Sequence, residues 1–505
     1  MADRSNFRAS ANAEADVRSQ LRHGSAFAVK PVSFPSWNVP IIVLRGMRSR
    51  PYTFAERTAP ACDRRKAHDA ESGLSPCPRT SPTMPCHEDR EKVMNAAAVS
   101  KTQSKLSSDS PFRPFPLEEY EARWERVHKA MQGKGYDVAV VWGKTSGVYE
   151  RAGDTIYLTN FFSTHSGQEP DTVLWNGRSL NAVILQPGQV PELITDEAEA
   201  RYDVIATDRF QGLYDPIKGL ADALKKRKIS GRVAFVGSDT VPVKYWQQLQ
   251  KMVPEIEWVA EDDLVRDVRR VKSDRELALF RQAGELVTRA HKAMMEALIA
   301  GKTEGEAAGI GGKILLEGGG AWHRIAISHG DTSQYLESDP LTGFSTIAPK
   351  RGDIVHGFIY GPILKGYWLD PGRTAVCGGK PSPEQKKLVE SLINVMHKLM
   401  ESIKPGVKVK DVALLGDRLT AESGYYDEVL KTNWPYYGHS NGCMWERPYI
   451  EPRLCTDQDL FEQNMVASVE GFFTSPGVGT AVFETNYIVT KTGIEEITPV
   501  PHLFW

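Results

Sequence analysis

The amino-acid sequence predicts an α/β domain over residues 111–267, followed by an α+β domain over residues 268–505. Three observations lead to this prediction. Short apolar strands alternate with amphipathic helices in the first region, and long helices precede a strand-rich end in the second. The 505 residues also exceed the usual size of one domain. Residues 1 to about 110 fit neither pattern.

These first 110 residues are predicted to form a disordered leader. They are rich in Arg, Ser, Pro and Ala, and the stretch 72–91 cannot bury enough apolar surface to offset the entropy lost on folding. An over-extended start is the alternative, with Met94 as the true initiator. The acidic residues of this region argue against a targeting arm.

Charge, hydropathy and cysteine usage restrict the partners and the compartment. A net charge of −2 gives no electrostatic case for nucleic acid or an anionic membrane, so neither is expected as a partner. The apolar run at 39–44 is too short to cross a bilayer. The six cysteines show no CxxC spacing and no disulfide framework, which favours a reducing, cytoplasmic location.

The elements of the first domain are predicted from their periodicity. An amphipathic helix covers 115–134 and ends near Gly135. Buried strands are predicted at 138–143, 157–163, 180–188 and 232–239, and helices at 216–227 and 242–252. This alternation predicts a layered α/β domain with a mixed sheet.

The second domain opens with a helix signal. Ser273, with Glu276 three residues later, forms a predicted capping box at the start of a long amphipathic helix that ends near residue 298. Two strands follow, one in PKRGDIVHGFIYG and one in YWLDPGRTAV, and then helices at 383–403 and 407–426. The remaining sequence is rich in strands and carries several ligand-type side chains.

Five stretches occur in an order that resembles one known family. They are VKSDRELALFRQAG, KPGVKVKDV, GHSNG, VASVEGFF and FETNYIVTKTGIEEIT. Residues 115 to 505 resemble the aminopeptidase P, prolidase and creatinase family, whose catalytic domain has the pita-bread fold. GHSNG and ETNYIVT look closest to creatinase-like members. The resemblance implies an active site over a curved sheet and a homodimeric assembly.

The resemblance also implies a ligand set. Metal-dependent relatives place two divalent ions between two aspartates, a histidine and two glutamates. Asp370 matches the second aspartate, His439 the histidine, and Glu470 and Glu484 the glutamates. The first aspartate is expected eleven residues before Asp370, where this chain has Ile359. If Ile359 faces the site, alternation along the strand turns its neighbours away from it.

Four ligands without the fifth make a dinuclear centre doubtful, because too little anionic oxygen remains to offset the repulsion between two cations. Two alternatives stay open. One imidazole and three carboxylates suit a single Mn, Fe or Zn ion, whereas creatinase-like members work without metal. Glu470 and Glu484 lie in apolar strands, and they should not both ionise without a cation.

Four further residues are candidates for the site. His329 is a candidate proton carrier, because the family's histidine upstream of the first metal strand is absent here. Trp445 stands where peptidase relatives carry a second histidine, and it could stack on a cationic ligand. Arg447 and Tyr437 lie near the histidine loop and are candidates for binding a substrate carboxylate.

The function expected from these residues is hydrolysis of a C–N bond in a small polar molecule. An amino-acid-derived or creatine-like compound, or a dipeptide, would be the substrate. A histidine would protonate the leaving nitrogen and a glutamate would activate water. A lyase resembling dimethylsulfoniopropionate lyase is the first alternative, and a non-catalytic binding module is the second.

Overall fold

The structure is a computed structural model, and it describes residues 110–144, 153–163, 179–197, 201–425, 431 and 434–505. The predicted leader, together with Cys62, Cys77 and Cys86, lies outside these residues. Among the described helices, none combines the length and the apolar run that a bilayer crossing requires.

A six-stranded sheet forms the first domain. Its strands are β1 (Ala139–Lys144), β2 (Leu180–Leu185), β3 (Glu192–Thr195), β4 (Arg209–Gly212), β5 (Gly231–Val236) and β6 (Ile256–Ala260). Their spatial order is β4-β3-β2-β1-β5-β6. Because β1 pairs antiparallel with β2 and parallel with β5, the sheet is mixed, as the sequence predicts.

Helices surround this sheet. They are α1 (Leu117–Gly133), α2 (Gly153–Thr159), α3 (Pro216–Lys226), α4 (Val243–Met252) and α5 (Asp263–Arg269). The strand predicted at 157–163 is wrong, because its first residues belong to α2. The Thr159 hydroxyl donates to the Thr155 carbonyl one turn earlier, at 2.7 Å, and Asn160 ends the helix with φ at 52°. A short apolar run does not distinguish a buried strand from a buried helix.

The second domain is built on a nine-stranded sheet. Its strands are β7 (Arg324–His329), β8 (Ile354–Leu364), β9 (Tyr367–Leu369), β10 (Gly372–Val376), β11 (His439–Asn441), β12 (Trp445–Tyr449), β13 (Val466–Ser475), β14 (Gly479–Val489) and β15 (Ile494–Glu496). The main order is β12-β11-β13-β14-β10-β8-β7, with β15 paired to β14 and β9 to β8.

Four of the described helices cover one face of this sheet. They are α6 (Asp274–Ile299), α7 (Glu304–Glu317), α8 (Pro383–Ser402) and α9 (Val409–Ser423). The predicted capping box is present at the start of α6, where Ser273 accepts from the Glu276 amide and Glu276 accepts from the Ser273 amide. Apolar side chains of β7, β8, β13 and β14 pack against these helices and form the core.

The register of the sheet decides which side chains leave this core. Phe358 on β8 pairs with Gly372 on β10, Gly372 pairs with Glu484 on β14, and Glu484 pairs with Glu470 on β13. Directly opposed residues of antiparallel strands project to the same face. Phe358, Glu484 and Glu470 therefore share the face of the sheet that the helices leave open.

Candidate metal centre

Four buried side chains converge on the open face of the nine-stranded sheet. Asp370 follows β9, His439 begins β11, and Glu470 and Glu484 lie side by side on β13 and β14. All four are at most 4% exposed. His439 Nε2 lies 3.5 Å from Asp370 Oδ2, 3.6 Å from Glu470 Oε1 and 3.8 Å from Glu484 Oε1. The structure thus brings together the four residues that the sequence motifs single out.

Asp370 is fixed by three side chains. Trp445 Nε1 donates to its Oδ2 at 2.7 Å, and Asn441 Nδ2 donates to the same oxygen at 3.0 Å. Asn486 donates to Oδ1 through its amide and accepts from the Asp370 backbone N–H at 3.0 Å. The carboxylate is therefore held in one orientation before any ligand arrives.

The two glutamates each keep an oxygen without a partner. Trp434 Nε1 donates to Glu470 Oε2 at 2.7 Å. Glu470 Oε1 and Glu484 Oε1 are buried and have no hydrogen-bond partner among the described residues. Burial, and then the charge of Asp370, raise the pKa of both glutamates well above the usual range. Without a cation, burial and the neighbouring carboxylate therefore favour the protonated form of each glutamate.

His439 presents a lone pair to these carboxylates. Its Nδ1 donates to the Ser440 carbonyl at 3.2 Å, which assigns the proton of a neutral ring to Nδ1. Burial lowers the pKa of His439, although the charge of Asp370 opposes this effect, so the ring is neutral at pH 7. Its Nε2 lone pair then faces three carboxylate oxygens, an arrangement that a cation between them would stabilise.

The donor set fits a single divalent ion. One ligand atom from each of Asp370, His439 and Glu484 lies within 4.8 Å of the others, and the unpartnered Glu470 Oε1 faces the same space. One imidazole with carboxylates suits Mn, Fe or Zn. The fit does not extend to two ions, because the position of a fifth ligand is occupied by a hydrocarbon ring.

That ring belongs to Phe358, and the expectation that placed Ile359 there is wrong. A bulge between Gly361 and Leu364 adds one residue to β8, so the residue facing the site lies twelve rather than eleven positions before Asp370. Phe358 covers Gly372 so closely that a Cβ there would lie 2.1 Å from its Cε1.

Ile359 points the other way and lies 3.2 Å from the position that a Cβ on Gly311 of α7 would occupy. His356 and Tyr360 share the face of Phe358 and therefore lie on the open face of the sheet. The expectation that they point away from the site, which followed from placing Ile359 there, is wrong. The ring centroids of Tyr360 and Trp445 lie 5.8 Å apart, so Tyr360 reaches the edge of the cluster.

The structure does not bring His329 to the cluster. This residue ends β7 opposite Val355, whose side chain lies in the helix-covered core. Its Nδ1 lies 2.6 Å from Oε1 of the fully buried Glu304, which also accepts from Ser338 Oγ at 2.7 Å. His329 therefore joins α7 to the following loop on the opposite face, and proton transfer at the cluster falls to another group.

Tyr437 and Arg447 also lie away from the cluster. The Tyr437 hydroxyl donates to Asp417 Oδ1 of α9 at 3.0 Å, and its ring packs in the buried apolar core on the helix side of the sheet. Tyr437 precedes β11, and Gly438, with φ at 136°, separates it from His439, so regular strand alternation does not relate the two side chains. Arg447 is 48% exposed and pairs with Asp263 at 3.3 Å. Trp445, by contrast, contacts Asp370 directly, with its ring centroid 5.3 Å from that of His439.

The sequence motifs do not identify several residues that line the site. Asn441 lies in GHSNG, and Asn486 follows Glu484 by two positions on β14, so alternation could have indicated both. Trp434 and Tyr436 lie in an aromatic stretch that equally fits a core. Their rings line the cluster, with the Tyr436 centroid 6.0 Å from that of His439.

A salt bridge between Arg373 and a site glutamate is also excluded. Arg373 lies on the helix-covered face, where its guanidinium donates to the main-chain carbonyl of Glu484 and to that of Val500. Among the described residues, the carboxylates of Glu470 and Glu484 have no Lys or Arg nitrogen within 4.0 Å.

Two family descriptions match the chain. Residues 123–271 match the Creatinase/Prolidase N-terminal domain, and residues 278–491 match Metallopeptidase family M24. The Xaa-Pro dipeptidase of Pyrococcus horikoshii is 28% identical over 313 residues, which cover 61% of this chain and 82% of that protein.

Solved structures share the fold. The prolidase from Pyrococcus horikoshii aligns with a TM-score of 0.60 at 21% identity, over 75% of this chain and 98% of its own. Dipeptidase PepE from Mycobacterium ulcerans aligns with a TM-score of 0.58 at 23% identity, over 77% of this chain and 98% of its own. The ordered motifs, the nine-stranded sheet and both family matches lead to one conclusion: the chain belongs to the pita-bread family, with a Creatinase/Prolidase N-terminal domain and an M24 metallopeptidase domain.

Proposed function

We propose that this protein hydrolyses the C–N bond of a small, dipeptide-like substrate at a site that holds one divalent cation. One observation carries the proposal: the neutral His439 Nε2 and two unpartnered glutamate oxygens converge on one buried point. The relatives named above as Xaa-Pro dipeptidase, prolidase and dipeptidase support a peptidase reaction.

Asp370, His439 and Glu484 would hold the ion, with the free Oε1 of Glu470 beside it. Mn, Fe and Zn all suit this mixture of imidazole and carboxylates. Such an ion, when bound, lowers the pKa of a water molecule and polarises a carbonyl oxygen. The hydrogen bonds from Asn441, Asn486 and Trp445 fix the Asp370 oxygens and so reduce the reorganisation that binding requires.

Glu470 is the group that moves the proton. Trp434 fixes its Oε2, which leaves Oε1 directed at the cluster. Its raised pKa, caused first by burial and then by the charge of Asp370, suits a general base that later acts as an acid. The water oxygen bonds to the carbonyl carbon, the C–N bond breaks, and Glu470 transfers the water's proton to the leaving nitrogen.

The alternatives differ in what they require. A metal-free site would need protons on the glutamates to replace the cation, and a creatine-like substrate would remain compatible with it. The lyase alternative gains no support from the relatives reported above. A non-catalytic module would not explain why three carboxylates remain buried around one imidazole, since taking each charge out of water carries a large desolvation penalty that no Lys or Arg among the described residues nearby offsets.

A substrate and metal panel tests the proposal. The purified protein is freed of metal with a chelator and then assayed with Mn, Fe or Zn against Xaa-Pro and other dipeptides, creatine and dimethylsulfoniopropionate. We expect dipeptide hydrolysis that one of these ions restores. Activity on creatine alone, or release of a volatile sulfide, would contradict the proposal.

A variant pair separates catalysis from folding. Glu470→Gln preserves the shape of the side chain and should lower kcat at least 100-fold, within the range attributed to general acid–base groups of about 10²–10⁴. Glu462→Gln is the matched control, because Glu462 is 45% exposed and its carboxylate pairs with Arg270 rather than with a residue of the cluster. Equal activity in both variants, with unchanged circular dichroism, would remove Glu470 from the mechanism.

We also propose that the protein is a cytoplasmic homodimer. The described cysteines Cys377, Cys443 and Cys455 are buried free thiols, which suits a reducing compartment. Exposed apolar side chains at Leu341 and Ile347, 84% and 64% exposed, offer surface for a second copy. Sedimentation equilibrium checks the assembly, and cell fractionation checks the location.

A further inference from the structure

A cavity of about 200 Å³ lies beside the acidic cluster, on the same open face of the sheet. Apolar and aromatic side chains form most of its lining, together with His356 and the polar residues Ser333, Gln334 and Thr480; the apolar and aromatic side chains are Tyr335, Leu336, Trp434, Phe472 and Val482. Trp434 connects the cavity to the cluster, because its indole N–H donates to Glu470. Val482 precedes Glu484 by two positions on β14, and Phe472 follows Glu470 by two positions on β13. Each therefore lies about 7 Å along its strand from the neighbouring glutamate.

The floor of this cavity is apolar. Phe358 and Val482 belong to one buried cluster with Ala326, against which Leu336 and Phe472 pack. Phe358 and Phe472 stack at 6.0 Å, and Trp434 contacts Phe472 at 5.0 Å between ring centroids. The ring that excludes a fifth metal ligand therefore also supports the floor of the cavity next to the site.

The described residues that line the cavity include no Lys, Arg, Asp or Glu. Its one titratable wall residue besides Tyr335 is His356, which is fully buried. His356 Nε2 donates to the Ser333 carbonyl at 2.9 Å, so its Nδ1 carries a lone pair, and Nδ1 has no partner among the described residues. Burial lowers the pKa of His356 to about 4, so the wall is uncharged at neutral pH.

We propose that this cavity is a specificity subsite that takes a bulky, uncharged side chain of the substrate, aliphatic or aromatic, and rejects charged ones. The inference rests on the proposed function, because it assumes that the scissile bond lies over the cluster. The side chain next to that bond then enters the cavity between Leu336, Phe472 and Val482. His356 Nδ1 adds one acceptor, which favours a side chain with an uncharged donor over one without it.

The size of the effect follows from buried apolar surface. Each methylene group removed from water stabilises a complex by a factor of about four. Placing Leu rather than Ala in the cavity adds three carbons, so we expect kcat/KM to rise about 50-fold. Lys or Glu at the same position would lose hydration and meet only the uncharged polar residues Ser333, Gln334 and Thr480, with no opposite charge among the described lining residues. We therefore expect kcat/KM for these substrates to fall below that for the Ala substrate.

The test is a dipeptide series in which each position in turn is Ala, Leu, Phe, Tyr, Lys or Glu. We expect a strong preference for Leu, Phe and Tyr at one position and a weak preference at the other. Leu336→Trp fills the cavity and should reduce the Leu-to-Ala ratio at least tenfold while activity on Ala persists. Leu316→Trp is the matched control, because Leu316 is 64% exposed on α7.

Two outcomes would overturn the subsite. One is a preference for charged side chains or none at all at both positions. The other is a Leu336→Trp protein with unchanged thermal melting and an unchanged Leu-to-Ala ratio. Phe472→Ala adds a check in the opposite direction, since the enlarged cavity should raise relative activity on Trp-containing dipeptides.

Failure of the proposed function is distinguishable from failure of the subsite. If no dipeptide is hydrolysed, calorimetry is performed with N-acetyl-phenylalaninamide, N-acetyl-alaninamide and N-acetyl-lysinamide. Tighter binding of the phenylalanine compound, lost in Leu336→Trp, would support the subsite although the reaction is different. Equal or undetectable binding of all three compounds would refute it.

Discussion

Replacing Glu446 by Gln should destabilise the protein strongly, because this carboxylate neutralises two buried cations. Arg269 Nη1 pairs with Glu446 Oε1, and Lys272 Nζ lies 3.0 Å from Glu446 Oε2. The three side chains are at most 2% exposed. In the variant, Asp154, which lies 2.9 Å from Arg269 Nε, is the remaining carboxylate of this cluster.

The expected cost follows from that count of charges. Removing one partner of a buried ion pair typically costs about 3–5 kcal/mol, since the remaining charge is left without compensation. Here one carboxylate serves two cations, so we expect the upper part of that range. Glu462→Gln is again the control, because its partner Arg270 is 25% exposed, and such surface pairs contribute about 0–1 kcal/mol.

Urea unfolding, followed by tryptophan fluorescence and circular dichroism, measures both variants at pH 7. The site should also respond, since Glu446 adjoins Trp445, whose indole fixes Asp370. We therefore expect weaker binding of the metal ion in folded Glu446→Gln. A loss of unfolding free energy within about 1 kcal/mol of the control would refute the reasoning about this buried cluster.

Three further predictions concern the site and its support. Trp445→Phe removes one donor from Asp370 and, at about 1–2 kcal/mol, should weaken metal binding roughly tenfold by isothermal titration. Phe358→Asp should raise the metal content from one ion per chain to two, measured by elemental analysis, and should reduce the preference for apolar side chains. Burial lowers the pKa of His291 to about 3 and that of His356 to about 4. Since the unfolded state binds protons first, near pH 6.5, unfolding free energy should fall from pH 7 to pH 4 by about 3 kcal/mol for each ring. His291→Gln should make this slope shallower in urea titrations, and an unchanged slope would contradict the assignment.

The sequence was most informative where chemistry and burial conflict. Glu470 and Glu484 are carboxylates in strands of apolar residues, and such positions are costly unless the carboxylates are paired or bind a ligand. Their place in an ordered set of motifs also identified Asp370 and His439. These four residues could be selected without coordinates because each signal was local to a few residues.

The remaining site residues depend on register, which the sequence does not reveal. One added residue at the bulge in β8 exchanges Ile359 for Phe358 at the site. The same alternation places His329 on the helix-covered face. Tyr437 reaches that face for another reason, because it precedes β11 and is separated from His439 by Gly438, whose φ is 136°. An error of one residue in a strand reverses the direction of a side chain, so motif spacing alone does not place Ile359 and His329 correctly.

The helix at Gly153–Thr159 illustrates a different limit. Its buried Tyr157 and Leu158 suit either a strand or a helix, and the choice is made by packing against α1. Trp124 of α1 donates to the Leu158 carbonyl at 2.7 Å, a contact between residues far apart in the chain. Local propensity does not contain such tertiary contacts.

Metal content per chain tests the central claim most directly. The protein is dialysed against Mn, Fe or Zn, freed of loosely bound ions, and analysed by mass spectrometry beside Glu484→Gln. We expect one tightly bound ion per chain in the natural protein and a marked loss in the variant. Two ions per chain, none with any of the three metals, or equal binding in the variant would contradict a single-ion site built on Asp370, His439 and Glu484.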